Sequence, residues 1–228
     1  EELLIGQMRI EKVRETVDIP ELSAAVDSLG RVITDLQYNV MQSRMVPLAY
    51  VFERYPRMVR DIAKKQAKEV DLKMEGMDIE LDRTVVDEIG ECLVHLLRNA
   101  VDHGIEAPDV RAAAGKPAEG RLTLRAHHDG GQVRIEISDD GAGIPPATLR
   151  RRALERGLIT AEQAARTNDR DALKLIFLSG DSTGETVPNV SRRGVGMHAV
   201  RTSIERIGGS IDVQSTVGVG TTITVQLL

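Results

Sequence analysis

The sequence predicts an α+β chain in two parts: an antiparallel helical hairpin, then a sheet covered by helices. Three observations lead there. As far as Met45, apolar residues recur every three or four positions, the period of a helix face, with one proline break. Residues 69–75, 121–138 and 211–228 alternate apolar and polar instead, as half-buried strands do. Aromatic residues make up only 2% and Trp is absent. The core must then come from Leu, Ile, Val, Met and Ala, which suits packed helices and a sheet beneath them.

Taken in order, residues 2–16 carry Leu3, Leu4, Met8 and Val13, with Val17 just beyond, and Asp18-Ile19-Pro20 breaks the pattern. A second helix starts at 20–23, since proline is at home in a first turn. Leu22, Val26, Leu29, Ile33, Leu36, Val40 and Met41 give it one apolar face. Two helices alone bury too little to be stable. The hairpin is therefore expected to pair with a second copy as a four-helix bundle, the alternative being that it packs against the rest of this chain. Met45-Val46-Pro47-Leu48 ends it. A helix over 50–68 with Val51, Phe52, Met58, Val59 and Ile62 inward comes next, then a strand over 69–75 and a turn at 76–78. A long helix over 81–103 is closed by Gly104, as a C-terminal glycine does. Residues 108–120 read as loop with one short helical piece. Strands over 121–128 and 132–138 flank Asp129-Gly130-Gly131, which has hairpin turn chemistry. Helices are expected near 146–156 and 169–178, a long loop over 180–193, a helix from Gly194 to about Ile207, and a last hairpin over 211–215 and 221–228.

Composition excludes several classes. The net charge is -5 and no basic run exists, which argues against nucleic acid as a partner. No apolar run approaches the roughly 20 residues of a membrane span, and no signal peptide is visible. A cytoplasmic chain without direct membrane insertion is expected. The single cysteine, Cys92, precludes an internal disulfide and reads as a buried thiol. His127 and His128 are neighbours in a strand, so they point to opposite faces and do not share a metal. The chain begins in mid-pattern with Glu1-Glu2-Leu3-Leu4 and ends on a strand, which reads as a piece of something longer.

The chemistry gathers around residues 94–105, V-H-L-L-R-N-A-V-D-H-G-I. His95, Asn99 and His103 fall four apart on one helix face, with Arg98 and Asp102 beside them. Leu96, Leu97, Ala100 and Val101 lie on the opposite side, where a core belongs. Such a helix suits the floor of a ligand site. Three glycine turns come after it. In Asp139-Asp140-Gly141-Ala142-Gly143-Ile144, glycines let a planar group approach the backbone, and a strand-end carboxylate can accept from an exocyclic amine. Arg193-Gly194-Val195-Gly196-Met197 opens a helix whose N–H groups can hold phosphate oxygens. Gly218-Val219-Gly220-Thr221-Thr222 returns into a strand. Neither the dinucleotide fingerprint nor a P-loop is present. Together the helix and the turns suggest a nucleoside triphosphate held with Mg²⁺, Asn99 supplying one oxygen ligand.

The order H-x-x-x-N, D-x-G-x-G, G-x-G and G-T resembles the boxes of the Bergerat-fold ATPases, a group that includes gyrase, Hsp90, MutL and the histidine kinases. Within it the chain is similar to the chemotaxis histidine kinases of the CheA family. The supporting residues are R-M-V-P-L at 44–48, F-E-R-Y-P-R-M-V-R-D at 52–61, E-L-D-R-T at 80–84, H-L-L-R-N-A-V-D-H-G-I-E at 95–106 and R-G-V-G-M at 193–197. The resemblance implies a dimerisation hairpin over 1–49. It implies an ATP-binding catalytic domain over 50–228, a Bergerat-type α/β sandwich with a mixed sheet covered on one face by helices. It implies that Asn99 holds Mg²⁺ and that Asp139 takes the adenine amine, with Thr221 near it through water. Gly141, Gly143 and Ile144 shape the adenine pocket. Arg98, Asp102 and His103 stand near the phosphates, with Gly194, Val195, Gly196, Met197 and Arg193 around the triphosphate. Residues 177–193, with Ser182 and Thr183, form a lid over ATP. His95 takes the place of the glutamate base of gyrase-type ATPases, which suits a kinase better than a hydrolase.

The implied activity is transfer of the ATP γ-phosphoryl group to a histidine on a separate phosphotransfer domain, in trans within a homodimer. The implied partners are that domain, a receptor-coupling domain, a response regulator and a receptor–adaptor array. The chain departs from the family at four places. Asp181 and Gly184 stand where the lid usually has Phe and Lys, and Arg192 and His198 replace a Gly and an Asp around the second glycine turn. An anion at Asp181 beside a triphosphate costs roughly 1 kcal/mol unless a cation offsets it. These departures motivate an alternative, a nucleotide-binding dimeric scaffold with weak or no kinase activity.

Overall fold

The computed structural model describes residues 2–14, 20–178 and 196–228. The chain divides into two compact units, Glu1–Val46 and Pro47–Leu228. The first contains helices α1 (Glu2–Arg14) and α2 (Pro20–Arg44). On α2, Val26 and Ile33 are buried, whereas Leu29, Val32, Leu36, Val40 and Met41 are exposed. The expected apolar face of α2 is thus only partly covered. A short strand, β1 (Met45–Pro47), runs across the division.

The second unit begins with α3 (Ala49–Phe52) and α4 (Tyr55–Lys65). One helix over 50–68 was the expectation. The break has a covalent cause: Pro56 has no N–H to continue the ladder and sits in the first turn of α4, where none is needed. Tyr55, fully buried, donates its hydroxyl to the Gly90 carbonyl at 3.1 Å. Strand β2 (Val70–Glu75) and a short β3 (Glu80–Asp82) precede α5 (Arg83–Asn99). Asp82 is therefore the cap of α5, accepting from the Thr84 N–H at 2.8 Å, rather than its opening turn. The helix does not run evenly to residue 103 either. Ala100–Gly104 is a π turn, closed by an Ile105 N–H bond to the Ala100 carbonyl at 2.8 Å.

After α6 (Pro108–Ala113) come β4 (Gly120–Asp129) and β5 (Gln132–Asp139), joined at Gly130 (φ 59°) and Gly131 (φ 84°). Both positive φ values fit the tight primed turn that the glycines suggest. Helices α7 (Pro146–Glu155), α8 (Ala161–Arg166) and α9 (Asp169–Lys174) are next, with a 3₁₀ turn at Leu175–Phe177. The chain closes with α10 (Met197–Arg206), β6 (Ser210–Thr216) and β7 (Gly220–Leu227).

The main sheet has the order β2-β4-β5-β7-β6, with β2 parallel to β4 and the other pairs antiparallel. Its register aligns Leu124, Ile137 and Ile223 across three strands, and Ala126, Ile135 and Val225 beside them. All six are buried or nearly so. Their neighbours Thr123, Arg125, Ser138, Glu136, Thr222 and Thr224 face the other way and are more exposed. One sheet face is therefore apolar, and helices α5, α7, α9 and α10 supply the buried residues that meet such a face, among them Ile89, Leu93, Leu149, Leu173, Val200 and Ile204. Among the described residues, no helix is long and apolar enough to cross a membrane.

Candidate nucleotide-binding site

A cavity of about 660 Å³ lies between the helices and the apolar sheet face. Its floor is α5 and the π turn, through His95, Asn99, His103 and Gly104. Ile137 and Asp139 of β5 and Thr221 and Ile223 of β7 form one wall. Gly143, Ile144 and Pro145 line the rim, continued by Thr148, Leu149 and Arg152 of α7. Gly196 and Met197 close the end where α10 begins. Leu97 and Val101 are buried away from the cavity and the stripe through 95, 99 and 103 turns to it, but Leu96 and Ala100, expected on the core side, line the cavity as well.

Arg98 and Asp102, expected near the phosphates, do not line this cavity. Arg98 is exposed, one step off the stripe. Asp102 accepts instead from the Gln66 side chain, beyond the end of α4. Lys68 completes this back side, donating to the carbonyls of Val101 at 2.7 Å and Asp102 at 3.1 Å. Ser182, Thr183, Arg193, Gly194 and Val195, with the departures Asp181, Gly184 and Arg192, lie outside the described residues. His198 is described and meets the Phe177 carbonyl oxygen at 3.3 Å.

Asp139 is the anion of the pocket. Its Oδ1 accepts from the Gly141 N–H at 2.9 Å, and the Thr221 N–H bonds its carboxyl as well. Burial raises its pKa from 3.8 to about 6, against these two hydrogen bonds and with help from the charges of Asp140 and Glu106. The surrounding glycines leave no space for side chains. A Cβ on Gly141 would lie 2.0 Å from the Gly104 carbonyl oxygen, and one on Gly104 would lie 3.1 Å from the Asp139 carboxyl. Gly141 itself sits behind the pocket wall. Gly143 has φ +71° and approaches the Thr216 backbone too closely for any Cβ.

His95 lies half-buried. Its pKa is lowered by burial first, then by the charges of Arg98 and His103, while Asp102 opposes. At neutral pH it is an uncharged imidazole. The Asn99 amide nitrogen donates to Met197 Sδ at 3.3 Å, and no described residue takes its oxygen. Among the described residues no group of three His, Cys, Asp or Glu side chains could hold a metal. An amide oxygen such as that of Asn99 suits Mg²⁺, which takes few protein ligands and keeps phosphate and water oxygens.

The sequence did not point to Thr148, Leu149, Arg152 or Ser215. The first three belong to an ordinary amphipathic helix, and only its docking turns them to the cavity. Ser215 accepts from the Ile144 N–H at 2.8 Å and meets the Thr221 hydroxyl at 2.9 Å, tying the rim to the wall. No spacing marks it.

Residues 84–228 match the family described as "Histidine kinase-, DNA gyrase B-, and HSP90-like ATPase". The chain belongs to that ATPase family. The match starts in the first turn of α5 and takes in all of the cavity. Similarity to individual proteins reaches further. The chain is 44% identical over 227 residues to the chemotaxis protein CheA of Bacillus subtilis, covering 100% of this chain and 34% of that protein. It is 43% identical over 229 residues to the sensor histidine kinase CheAY of Helicobacter pylori, covering 97% of this chain and 28% of that one. The chain thus spans about a third of the length of the curated relatives it matches. Within the ATPase family it is of the CheA type, because this similarity includes α1, α2, α3, α4 and β2, which lie before the ATPase match. A histidine kinase domain from the blue-light activated histidine kinase of Erythrobacter litoralis EL346 aligns at TM-score 0.46 and 20% identity, over 99% of this chain and 83% of that one. At that score the likeness carries no weight.

Proposed function

We propose that this chain is the ATP-binding catalytic region of a chemotaxis histidine kinase, which passes the γ-phosphoryl group of ATP to a histidine on a separate domain. The observation that carries this reading is the cavity itself, which holds the half-buried carboxylate of Asp139 and the open amide oxygen of Asn99 in one space. Asp139 accepts from the exocyclic amine of the base, and Thr221 supplies a hydroxyl beside it. The apolar surfaces of Ile137, Ile223, Leu149 and Ile144 take the purine faces. The phosphates extend toward Asn99 and the first turn of α10, whose N–H groups favour anions. Mg²⁺ bound at Asn99 would offset phosphate charge.

Phosphoryl transfer asks the protein mainly for position and charge. The acceptor imidazole nitrogen forms a bond to the γ-phosphorus as the bond to the β–γ bridging oxygen breaks, and ADP leaves. Arg152 stands on the cavity rim with its charge available to the nucleotide. His95, beside Asn99 on the floor, stands where gyrase-type ATPases carry a glutamate base, and slow hydrolysis without an acceptor is expected. The five histidines of this chain are poor acceptors. His95 and His103 line the floor, His127 and His128 sit at a strand end, and His198 lies at the start of α10. The acceptor therefore belongs to a separate phosphotransfer domain, reached in trans within a homodimer joined through the hairpin. A receptor-coupling domain and a response regulator complete the partners.

The test is to supply a histidine phosphotransfer domain with γ-labelled ATP and Mg²⁺. Label is expected on the acceptor histidine, with little free phosphate when the acceptor is left out. ATP bound but no label transferred would leave a nucleotide-binding scaffold. Rapid phosphate release without acceptor would indicate a hydrolase.

A further inference from the structure

Behind the turn that carries Asp139 lies a charged cluster that the nucleotide reading does not use. Arg111, on α6, is fully buried. A guanidinium has five N–H donors, and here each finds an acceptor. Nε donates to the Pro117 carbonyl at 2.7 Å. Nη1 donates to Glu106 at 3.1 Å and to the Asp140 carbonyl at 3.3 Å. Nη2 donates to the Glu119 carbonyl at 3.4 Å and to the Asp140 carboxylate at 3.0 Å. Lys116 adds three bonds: to Glu106 at 3.0 Å, to the Asp140 carbonyl at 2.8 Å and to the Gly141 carbonyl at 2.7 Å. Two cations face two carboxylates, so the cluster is neutral.

Holding a loop to a strand does not need such a cluster, since apolar packing is often at least as stabilising as a buried ion pair. The role of charge here is to fix a direction. The carbonyl of the 140–141 peptide is held by both Arg111 and Lys116. In a trans peptide the N–H points opposite to the carbonyl. The N–H in question is that of Gly141, and it donates to Asp139 Oδ1 at 2.9 Å. Cations on the carbonyl side also polarise the peptide and strengthen that N–H as a donor. The Asp140 side chain locks the same unit from another side, because its Oδ1 accepts from the Arg121 N–H at 2.9 Å.

We propose that Arg111 and Lys116 are positioning residues for base recognition: by gripping the 140–141 peptide they aim the Asp139 carboxylate and set the preference for a purine bearing an exocyclic amine. This rests on the nucleotide reading above. Neither cation lines the cavity, so neither touches the nucleotide itself. Their effect should therefore appear in discrimination between bases and not in affinity for triphosphate as such.

The experiment compares binding of ATP with binding of inosine triphosphate, which carries a carbonyl where ATP has its amine. The whole chain is titrated with each in Mg²⁺, as wild type, Lys116→Met and Arg111→Lys, with a thermal melt of each. Wild type is expected to prefer ATP. Lys116→Met is expected to weaken ATP roughly tenfold and inosine triphosphate by no more than about twofold, so that the preference collapses. Arg111→Lys should do the same more strongly; if it does not fold, Lys116→Met decides alone, since Lys116 is partly exposed. Equal weakening of both nucleotides, or an unchanged ratio, overturns the proposal and leaves the cluster a loop staple. A wild type that binds both equally overturns the proposal but not the nucleotide site. A wild type that binds neither overturns both.

Discussion

Asp139 must be charged where burial resists charge. Its pKa in the fold, about 6, lies above the ordinary 3.8. Its protonated form therefore supports folding fully below about pH 4, and that support is lost as pH rises through 6. Binding runs the other way, because only the carboxylate accepts from an amine with both oxygens. ATP affinity is expected to fall as pH drops below about 6, a dependence that Asp139→Asn should lack. The same variant should melt a few degrees higher than wild type at pH 8 and at the same temperature near pH 4, while binding ATP at least roughly tenfold more weakly. Titration calorimetry and melts across pH check both signs. Asn99→Ala should remove the Mg²⁺-dependent part of ATP affinity; a ratio of Kd values with and without Mg²⁺ that matches wild type would refute the placement of the ion. At this scale the sequence spoke through unusual residue types. An Asn and two His four apart along one helix face are legible, whereas Arg111 in P-D-V-R-A-A-A-G-K looks like any surface arginine until the chain folds around it.

Among the elements, the π turn after α5 is the least legible. Nothing in A-V-D-H-G announces one extra residue per turn, and wide turns of this kind are frequent at functional sites. Its carbonyls at Val101 and Asp102 are met by Lys68, from the segment after α4. Lys68→Met leaves them to water or to nothing. We expect a loss of about 1 kcal/mol, a fall in Tm of about 3 °C, and weaker ATP binding as His103 and Gly104 shift in the floor. An unchanged affinity would mean that the floor does not depend on this brace. The break between α3 and α4 was legible in principle from Pro56, and α8 from Thr160 and Gln163, which form a capping box. Asp82 was misjudged because a cap and a first helical residue differ by one position and look alike in sequence.

For the whole molecule, the uncovered face of α2 matters most. Leu29, Val32, Leu36, Val40 and Met41 recur at helical spacing and are all exposed. A stripe of that kind is expected to be covered by a second copy. Light scattering should give twice the 25.0 kDa chain mass, and Val32→Glu with Leu36→Glu should give the single mass without loss of ATP binding. A wild-type chain that stays monomeric at high concentration would remove the hairpin's proposed role.

The sequence by itself determined the α+β class, most elements, and the residue types of the site, because periodicity and turn chemistry are local properties of a chain. It also determined the family, through motifs whose order survives without any geometry. Only the tertiary structure decided which residues share one space. It left Arg98 and Asp102 outside the cavity, brought Arg152 to its rim, set Ser215 against Ile144 and Thr221, and placed Arg111 and Lys116 behind Asp139. Those outcomes depend on how helices dock on the sheet and how one widened turn rotates the residues after it, and no spacing along the chain records either.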